Sequence, residues 1–421
     1  MLLQLHRCCQ HFRVGLGPSR LVSNTALHTR VASRQLITVA RSNRNEVLRI
    51  SDKIKQSSII ARLCSTSPKP KTPKVVGYWL LGCSGMVFTA VVLGGVTRLT
   101  ESGLSMVTWK LLGEKLPTTE EEWKSEFERY QQFPEYKYKN MNMTLSEFKW
   151  IWWMEYAHRM WGRAIGAAVF LPAAFFWATN KLDKGMKIRV AVYCGLVAAQ
   201  GLMGWYMVKS GLEDRFEGPN DVPRVSQYRL ASHLALAFTL YAGLVGGALR
   251  VLRPAAGALQ QVQGLKGLTA CAHGVKAMVF FTAISGAFVA GLDAGLVYSS
   301  FPKMGDHWVP PEVLELSPTP RNFTENPVTV QFDHRILGTS TLALATGVWL
   351  LARGKRLPPT AKNAAAAVGA MAWLQVTLGI STLLMHVPVS LAALHQAGSL
   401  ALLTLALRLT HELKLLRYMP K

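Results

Sequence analysis

Glu155-Tyr156-Ala157-His158-Arg159 and Gln331-Phe332-Asp333-His334-Arg335 are near-copies of one motif, and each leads into a long apolar run. Two more histidines, His233 and His395, stand at the same-side end of two further apolar runs. Imidazole is costly to place in hydrocarbon, so a histidine inside a membrane-length segment marks a functional site by default. Four of them at matching depth, in two successive halves of one chain, point to paired imidazoles.

Apolar blocks occupy roughly residues 75–96, 160–179, 190–208, 230–249, 277–301, 336–352, 363–385 and 387–407. A helix rises about 1.5 Å per residue and the hydrocarbon core is about 30 Å thick, so about 20 residues span it. The shorter blocks reach that length when their polar flanks continue the helix. Thr144-Leu145-Ser146-Glu147 is a capping-box pattern that starts the second helix well before its apolar block. Trp150, Trp152, Trp153 and Tyr156 then fall where an interfacial aromatic belt is expected. Half of the 421 residues are apolar and the formal charge is +23. Because the apolar residues come in blocks, that combination suits neither a soluble enzyme nor a nucleic-acid binder. The expected fold class is an all-α membrane protein with eight transmembrane helices, its partner the lipid bilayer and not a nucleic acid.

Residues 1–64 hold nine Arg and two Lys against Glu46 and Asp52 alone, with many Ser and Thr. Arg-rich, Ser-rich and acid-poor is the composition of a mitochondrial transit peptide. Residues 65–74, rich in Pro and Lys, read as a linker. The six cysteines contain no Cys-x-x-Cys, so neither a disulfide framework nor a zinc site is indicated. Loops after the second, fourth and sixth spans are basic, with Lys181, Lys184 and Lys187, then Arg250, Arg253 and Lys266, then Arg353, Lys355 and Arg356. The opposite loops carry acids such as Glu120, Glu121 and Glu122. The positive-inside rule places both termini in the matrix of a multi-pass inner-membrane protein. Residues 251–275 then form a matrix loop and residues 411–421 a basic matrix tail.

The two halves echo each other. Gly94 to Leu104 closes the first span and Gly286 to Leu296 the fifth, with Asp293 opposite Glu101. The His-Arg motifs follow, then Gln200 with Gly204 and Gln375 with Gly379, then His233 and His395. Such internal similarity marks tandem repeats. Residues 75–250 and 276–410 are therefore expected to form two tandem, similar four-helix bundles.

The second, fourth, sixth and eighth spans all begin on the outer side and carry their histidines near that end. Four residues on, sharing a helix face, stand Gly162, Ala237, Gly338 and Ser399, small enough to let a flat macrocycle approach. Small residues also simply let membrane helices pack. Bundles build cofactor sites from facing helices, and haem iron accepts axial histidine. Zinc fits less well, since structural sites want four N or S ligands. Glu155 stands in one half only, with Gln331 in its place in the other. It reads either as a proton donor or acceptor beside a bound substrate or as a carboxylate paired with Arg159. Arg159 and Arg335 read either as partners of haem propionates or as side chains reaching lipid phosphates.

With these motifs in place, the chain resembles haem A synthase, in its mitochondrial branch, over about residues 75 to 410. The resemblance implies an oxidoreductase that hydroxylates a porphyrin methyl of haem O in successive steps, giving the formyl group of haem A for cytochrome c oxidase. It implies haem b in the C-terminal half at His334 and His395, with Arg335 beside it. It implies haem O as substrate in the N-terminal half at His158 and His233, with Arg159 and a catalytic Glu155. It also implies a matrix ferredoxin as electron donor. Haem O synthase, oxidase assembly factors and a second copy of the chain stay open as partners. Some bacterial relatives carry a cysteine pair in an outer loop; the outer loops here have none. The farnesyl tail of haem O would suit a slot reached from lipid, which the sequence does not locate. Two other readings compete: a di-haem b electron-transfer cytochrome, and a haem transporter or chaperone. The first leaves Glu155 unexplained, and the second lacks the broken helices common in transporters.

Overall fold

The computed structural model describes residues 72–213, 224–253 and 261–419. The expected transit peptide, and the linker up to residue 71, lie outside the described residues. In chain order the helices are α1 (Lys74–Leu99), α2 (Glu120–Gln131), α3 (Pro134–Tyr138), α4 (Leu145–Ala178), α5 (Lys184–Gly211), α6 (Gln227–Leu252), α7 (Leu265–Gly291), α8 (Asn322–Glu325), α9 (Pro327–Arg353), α10 (Pro359–Leu384) and α11 (Val389–Lys414). All but α2, α3 and α8 are long and apolar enough to cross a membrane, which makes eight spans among the described residues. The all-α expectation holds apart from two short strands, β1 (Gln261–Gln263) and β2 (Arg417–Met419), which pair in parallel.

Local signals set most helix starts. Thr144 accepts from the Glu147 N–H and Glu147 reaches back to the Thr144 N–H, closing the capping box that the sequence announces. Asn326 caps α9, with Pro327 at its first position. Asp183 caps α5 and also accepts from the Thr72 hydroxyl at 2.7 Å.

The fifth span departs from its apolar block. Helix α7 starts at Leu265, before the block, and ends at Gly291, well inside it. Leu265, Leu268, Ala272 and Val275 recur at helical spacing and are buried, so Lys266, His273 and Lys276 only punctuate a helix. Much of the expected 251–275 loop is therefore helical. At the far end, Asp293 turns left-handed (φ 53°) and stops the helix. Glu101 does the same after α1 (φ 54°).

Around the first four spans, α1 packs on α4, α4 on α5, α5 on α6, and α6 back on α1. Around the last four, α7 packs on α9, α9 on α10, α10 on α11, and α11 back on α7. The two sets meet through α6 on α7, α1 on α11 and α6 on α11. One apolar core fills the ends of the helices nearest the basic loops, from Val76 and Leu80 through Phe176, Met186, Leu244 and Leu268 to Leu403 and Leu413. At the opposite end the helices part around a cavity. A second, aromatic cluster caps that end, where Trp123, Tyr130, Phe148 and Trp152 join α2 and α3 to the projecting start of α4.

That cap corrects the aromatic belt. Trp152 is 1% exposed, packed edge-on against Trp123 at 5.0 Å and stacked on Tyr156 at 4.9 Å. Only Trp150 and Trp153 face outward as a belt requires. Helix α2 covers the face of α4 that would otherwise meet lipid headgroups.

Candidate functional site

A cavity of about 1400 Å³ opens between the eight spans at the end away from the basic loops. It exceeds the roughly 300–1,000 Å³ of ordinary small-molecule pockets and has room for two large flat groups. His158, His233, His334 and His395 all line it, as do Glu155, Arg159 and Arg335. The residues singled out by the sequence thus converge on one space.

A glycine of the neighbouring helix lies against each imidazole. A methyl added at Gly94 would stand 2.8 Å from His158 Cε1, and one at Gly379 would stand 2.7 Å from His395 Cε1. At Gly286 the distance to His334 Cε1 is 3.1 Å, and at Gly204 to His233 Cε1 it is 3.7 Å. These glycines let each ring lie close against the facing backbone. Gly162 and Gly338, four residues after their histidines, face open space instead.

His334 and His395 face each other with ring centroids 6.4 Å apart and planes at 85°. A metal–imidazole bond is about 2 Å long, so two of them plus the inner half of each ring span roughly 6 Å. The spacing fits one metal between the rings. Their outer nitrogens are tethered. Ser285 donates to Thr282 O at 2.8 Å, so its hydroxyl oxygen accepts from His334 Nδ1 at 2.7 Å. His395 Nδ1 donates to Gln375 O at 3.1 Å. Both bonds leave the Nε2 lone pair free for a metal. In the other half, His158 Nδ1 and His233 Nδ1 are buried without partners. Gln200 and Gln375 play like roles, donating to His233 O at 3.0 Å and to His395 O at 2.8 Å.

Glu155 is 2% exposed and fully engaged. It accepts from the Ser105 hydroxyl at 2.8 Å, from the Met106 N–H at 2.7 Å and from Arg159 at 2.5 Å. Arg159 also donates to Met106 O and Thr108 O, both at 2.7 Å, and stacks over Trp109. The second half repeats this clamp in neutral form. Gln331 donates to Ala294 O at 2.8 Å and Tyr298 O at 3.1 Å, and its carbonyl accepts from Arg335 at 3.1 Å. Of the two readings of Glu155, the geometry displays the pairing with Arg159. Both arginines turn toward loop carbonyls, which disfavours reaching for lipid phosphates.

Arg98, Arg159 and Arg335 each line the cavity and each leave a buried Nε–H without a partner. A group bearing carboxylates would satisfy them. Among the described residues no three His, Cys, Asp or Glu side chains gather as a zinc or di-metal site requires. A haem held by two histidines fits what is present: rings at the right spacing, bare backbone beside them, and orphaned cationic donors.

Residues 77–407 match the model of the cytochrome oxidase assembly protein family, COX15-CtaA. The chain belongs to this family. It is 58% identical over 348 residues to Heme A synthase COX15 of Homo sapiens, covering 82% of this chain and 84% of the human one. It is 49% identical over 349 residues to Heme A synthase COX15 of Arabidopsis thaliana, covering 82% and 76%. A Heme A synthase-mitochondrial ferredoxin fusion protein of Schizosaccharomyces pombe is 42% identical over 369 residues, covering 81% and 60%.

Sequence reasoning missed several lining residues of this family member. Arg98 was one, since nothing near it in the chain marks it; it pairs at 2.8 Å with Asp293, far away in sequence. Ser285, which touches the His334 ring without lining the cavity, also went unread, as did the part Gln375 plays in holding the His395 ring. His386, which has no counterpart among the repeated motifs, lines the cavity on a left-handed turn with Val387.

Proposed function

We propose that this protein is a haem A synthase, an oxidoreductase that converts a methyl group of haem O to the formyl group of haem A. The single observation that carries this reading is one cavity reached by four imidazoles whose two pairs are held differently. The names of the relatives from human, plant and fission yeast agree with it. Matching left-handed turns, matching glycines and matching loop clamps support two tandem, similar four-helix bundles.

His334 and His395 hold a resident haem b, and His158 and His233 hold haem O. Tethered Nδ1 atoms suit a permanent ligand pair, because a fixed tautomer and ring orientation raise metal affinity. Untethered Nδ1 atoms suit a substrate that must come and go. Bound haem b supplies one-electron redox chemistry. Arg335 donates to propionates in the second half, and Arg159 and Arg98 do so in the first. Glu155 and Arg159 pin the Ser102–Trp109 loop over the substrate, which orients its ring and limits water around the reacting methyl. Each of two hydroxylations takes two electrons from the methyl carbon. With a ferredoxin giving two more, dioxygen balances the step, one atom entering the carbon and the other leaving as water. The resulting gem-diol loses water to leave the formyl group. Glu155 is the carboxylate placed to take or give the protons of these steps when its loop contacts loosen.

The protein sits in the mitochondrial inner membrane with both termini in the matrix, as the basic loops imply. A matrix ferredoxin supplies electrons, a pairing that the fused fission-yeast relative supports. Extraction of haem from purified protein tests the division. Replacing His334 or His395 with Ala removes haem b, and replacing His158 or His233 removes haem O and haem A. Wild-type protein that yields only protohaem would instead make it an electron carrier.

A further inference from the structure

Helices α4 and α5 touch less than any other adjacent pair around the two sets of spans. The cavity reaches this seam, which Gly162, Gly166 and Phe170 of α4 and Gly201, Leu202 and Trp205 of α5 line. Phe170, Leu202 and Trp205 are exposed, so the seam faces the surroundings of the bundle, which in a membrane is lipid. A Cβ built on Gly166 or Gly201 meets nothing within 4 Å. These glycines are therefore not there for tight helix packing; they leave room.

The second half supplies the comparison. Counting from His158 and His334, Gly166 corresponds to Leu342; counting from Gln200 and Gln375, Gly201 corresponds to Val376. Leu342 and Val376 are half-buried and line their own side of the cavity, between helices α9 and α10, which pack more extensively. The same architecture is open in one half and filled in the other by two aliphatic side chains.

We propose that the α4–α5 seam is the binding groove and lateral doorway for the prenyl tail of the haem substrate, with Gly166 and Gly201 as the residues that admit it. The inference rests on the synthase reading and adds a place for the tail. A porphyrin held by His158 and His233 directs its longest apolar substituent outward between α4 and α5, where lipid and exposed aliphatic and aromatic side chains receive it. The tail gives up no hydrogen bond by leaving the cavity and keeps its apolar surroundings throughout. A resident haem without such a tail needs no groove, and Leu342 and Val376 close that side.

The test transplants the second-half residues, as Gly166→Leu with Gly201→Val, into the full chain, and measures haem O plus haem A per haem b in the purified protein. Filling the seam lowers that ratio by roughly 10–100-fold, the discrimination a pocket gains from a few misplaced methylenes, while haem b per chain is retained. Gly85→Leu, on an exposed stretch of α1 away from the cavity, is the lipid-facing control and keeps the ratio. A wild-type ratio in the double variant overturns the doorway and leaves the synthase reading standing. A wild-type protein with no haem O or haem A at all overturns the synthase reading first. If the double variant loses haem b as well, Gly166→Ala with Gly201→Ala, which meets open space, decides: a partial fall in haem O plus haem A per haem b supports the groove, and the wild-type ratio overturns it.

Discussion

Ser285 sends its own proton to Thr282 O, and that direction fixes the neighbour: His334 must give its Nδ1 proton to the serine. Donation from Nδ1–H makes the opposite nitrogen a stronger ligand and favours the oxidised iron. Ser285→Ala is therefore expected to shift the haem b reduction potential upward and to weaken haem b retention about tenfold, read by redox titration and by haem content after dilution. The loop clamps make a second comparison. Arg159→Ala strands a buried carboxylate, a loss of about 3–5 kcal/mol. Arg335→Ala strands only an amide, at about 1–3 kcal/mol. Thermal unfolding in detergent should rank the two variants in that order. The four histidines were legible because an imidazole in an apolar run stands out on its own. The repeat exposed their glycines and Gln375 as well, but not that these residues and Ser285 back the imidazoles, since each acts from a different helix and sequence distance says nothing of it.

At the scale of elements, the aromatic cap holds an unusual carboxyl. Glu135 on α3 is buried against Tyr130, whose hydroxyl donates to it at 3.1 Å, with Glu155, Glu101 and Lys139 as the charged neighbours. Burial pushes its pKa from the ordinary 4.5 up to about 8. A raised acid pKa means that the folded cap binds the proton more tightly than the unfolded chain. Its stabilising effect is complete below about pH 4.5 and is lost as pH rises through about 8. Glu135→Gln should flatten that dependence and protect α2 and α3 at pH 8, measured by hydrogen exchange at pH 5.5 and 8. Helix starts such as Thr144 were readable because capping chemistry is local. The start of α7 was not: its early residues mix Lys266, Gly267, Thr269 and His273 with apolar positions, and only packing against the core decides that they are helical.

Over the whole molecule, charge is the readable quantity. The basic loops share one end with β1 and β2, whose pairing ties the connection before α7 to the C-terminal tail. Arg253 reinforces it, bonding Glu412 at 2.8 Å and offering its carbonyl to His411 at 2.9 Å. Epitopes appended to each terminus of the mature protein should resist protease in intact mitoplasts and be cleaved once the inner membrane is opened. Cleavage of either one in intact mitoplasts would reverse the orientation. The number of spans followed from apolar length. Where the wall opens did not, because the seam between α4 and α5 reflects what two glycines lack.

The ion pair between Arg98 and Asp293 crosses from the first four spans to the last four, and it is made only once. Counting from Gly94 and Gly286, the counterpart of Arg98 is Ala290, whereas both halves keep an acid, Glu101 or Asp293. Glu101 pairs with Lys139 of its own half, whereas Asp293 also receives Arg224 at 3.6 Å. The cations that fasten this rim of the cavity thus all come from the leading half, and neutralising Asp293 alone releases both arginines.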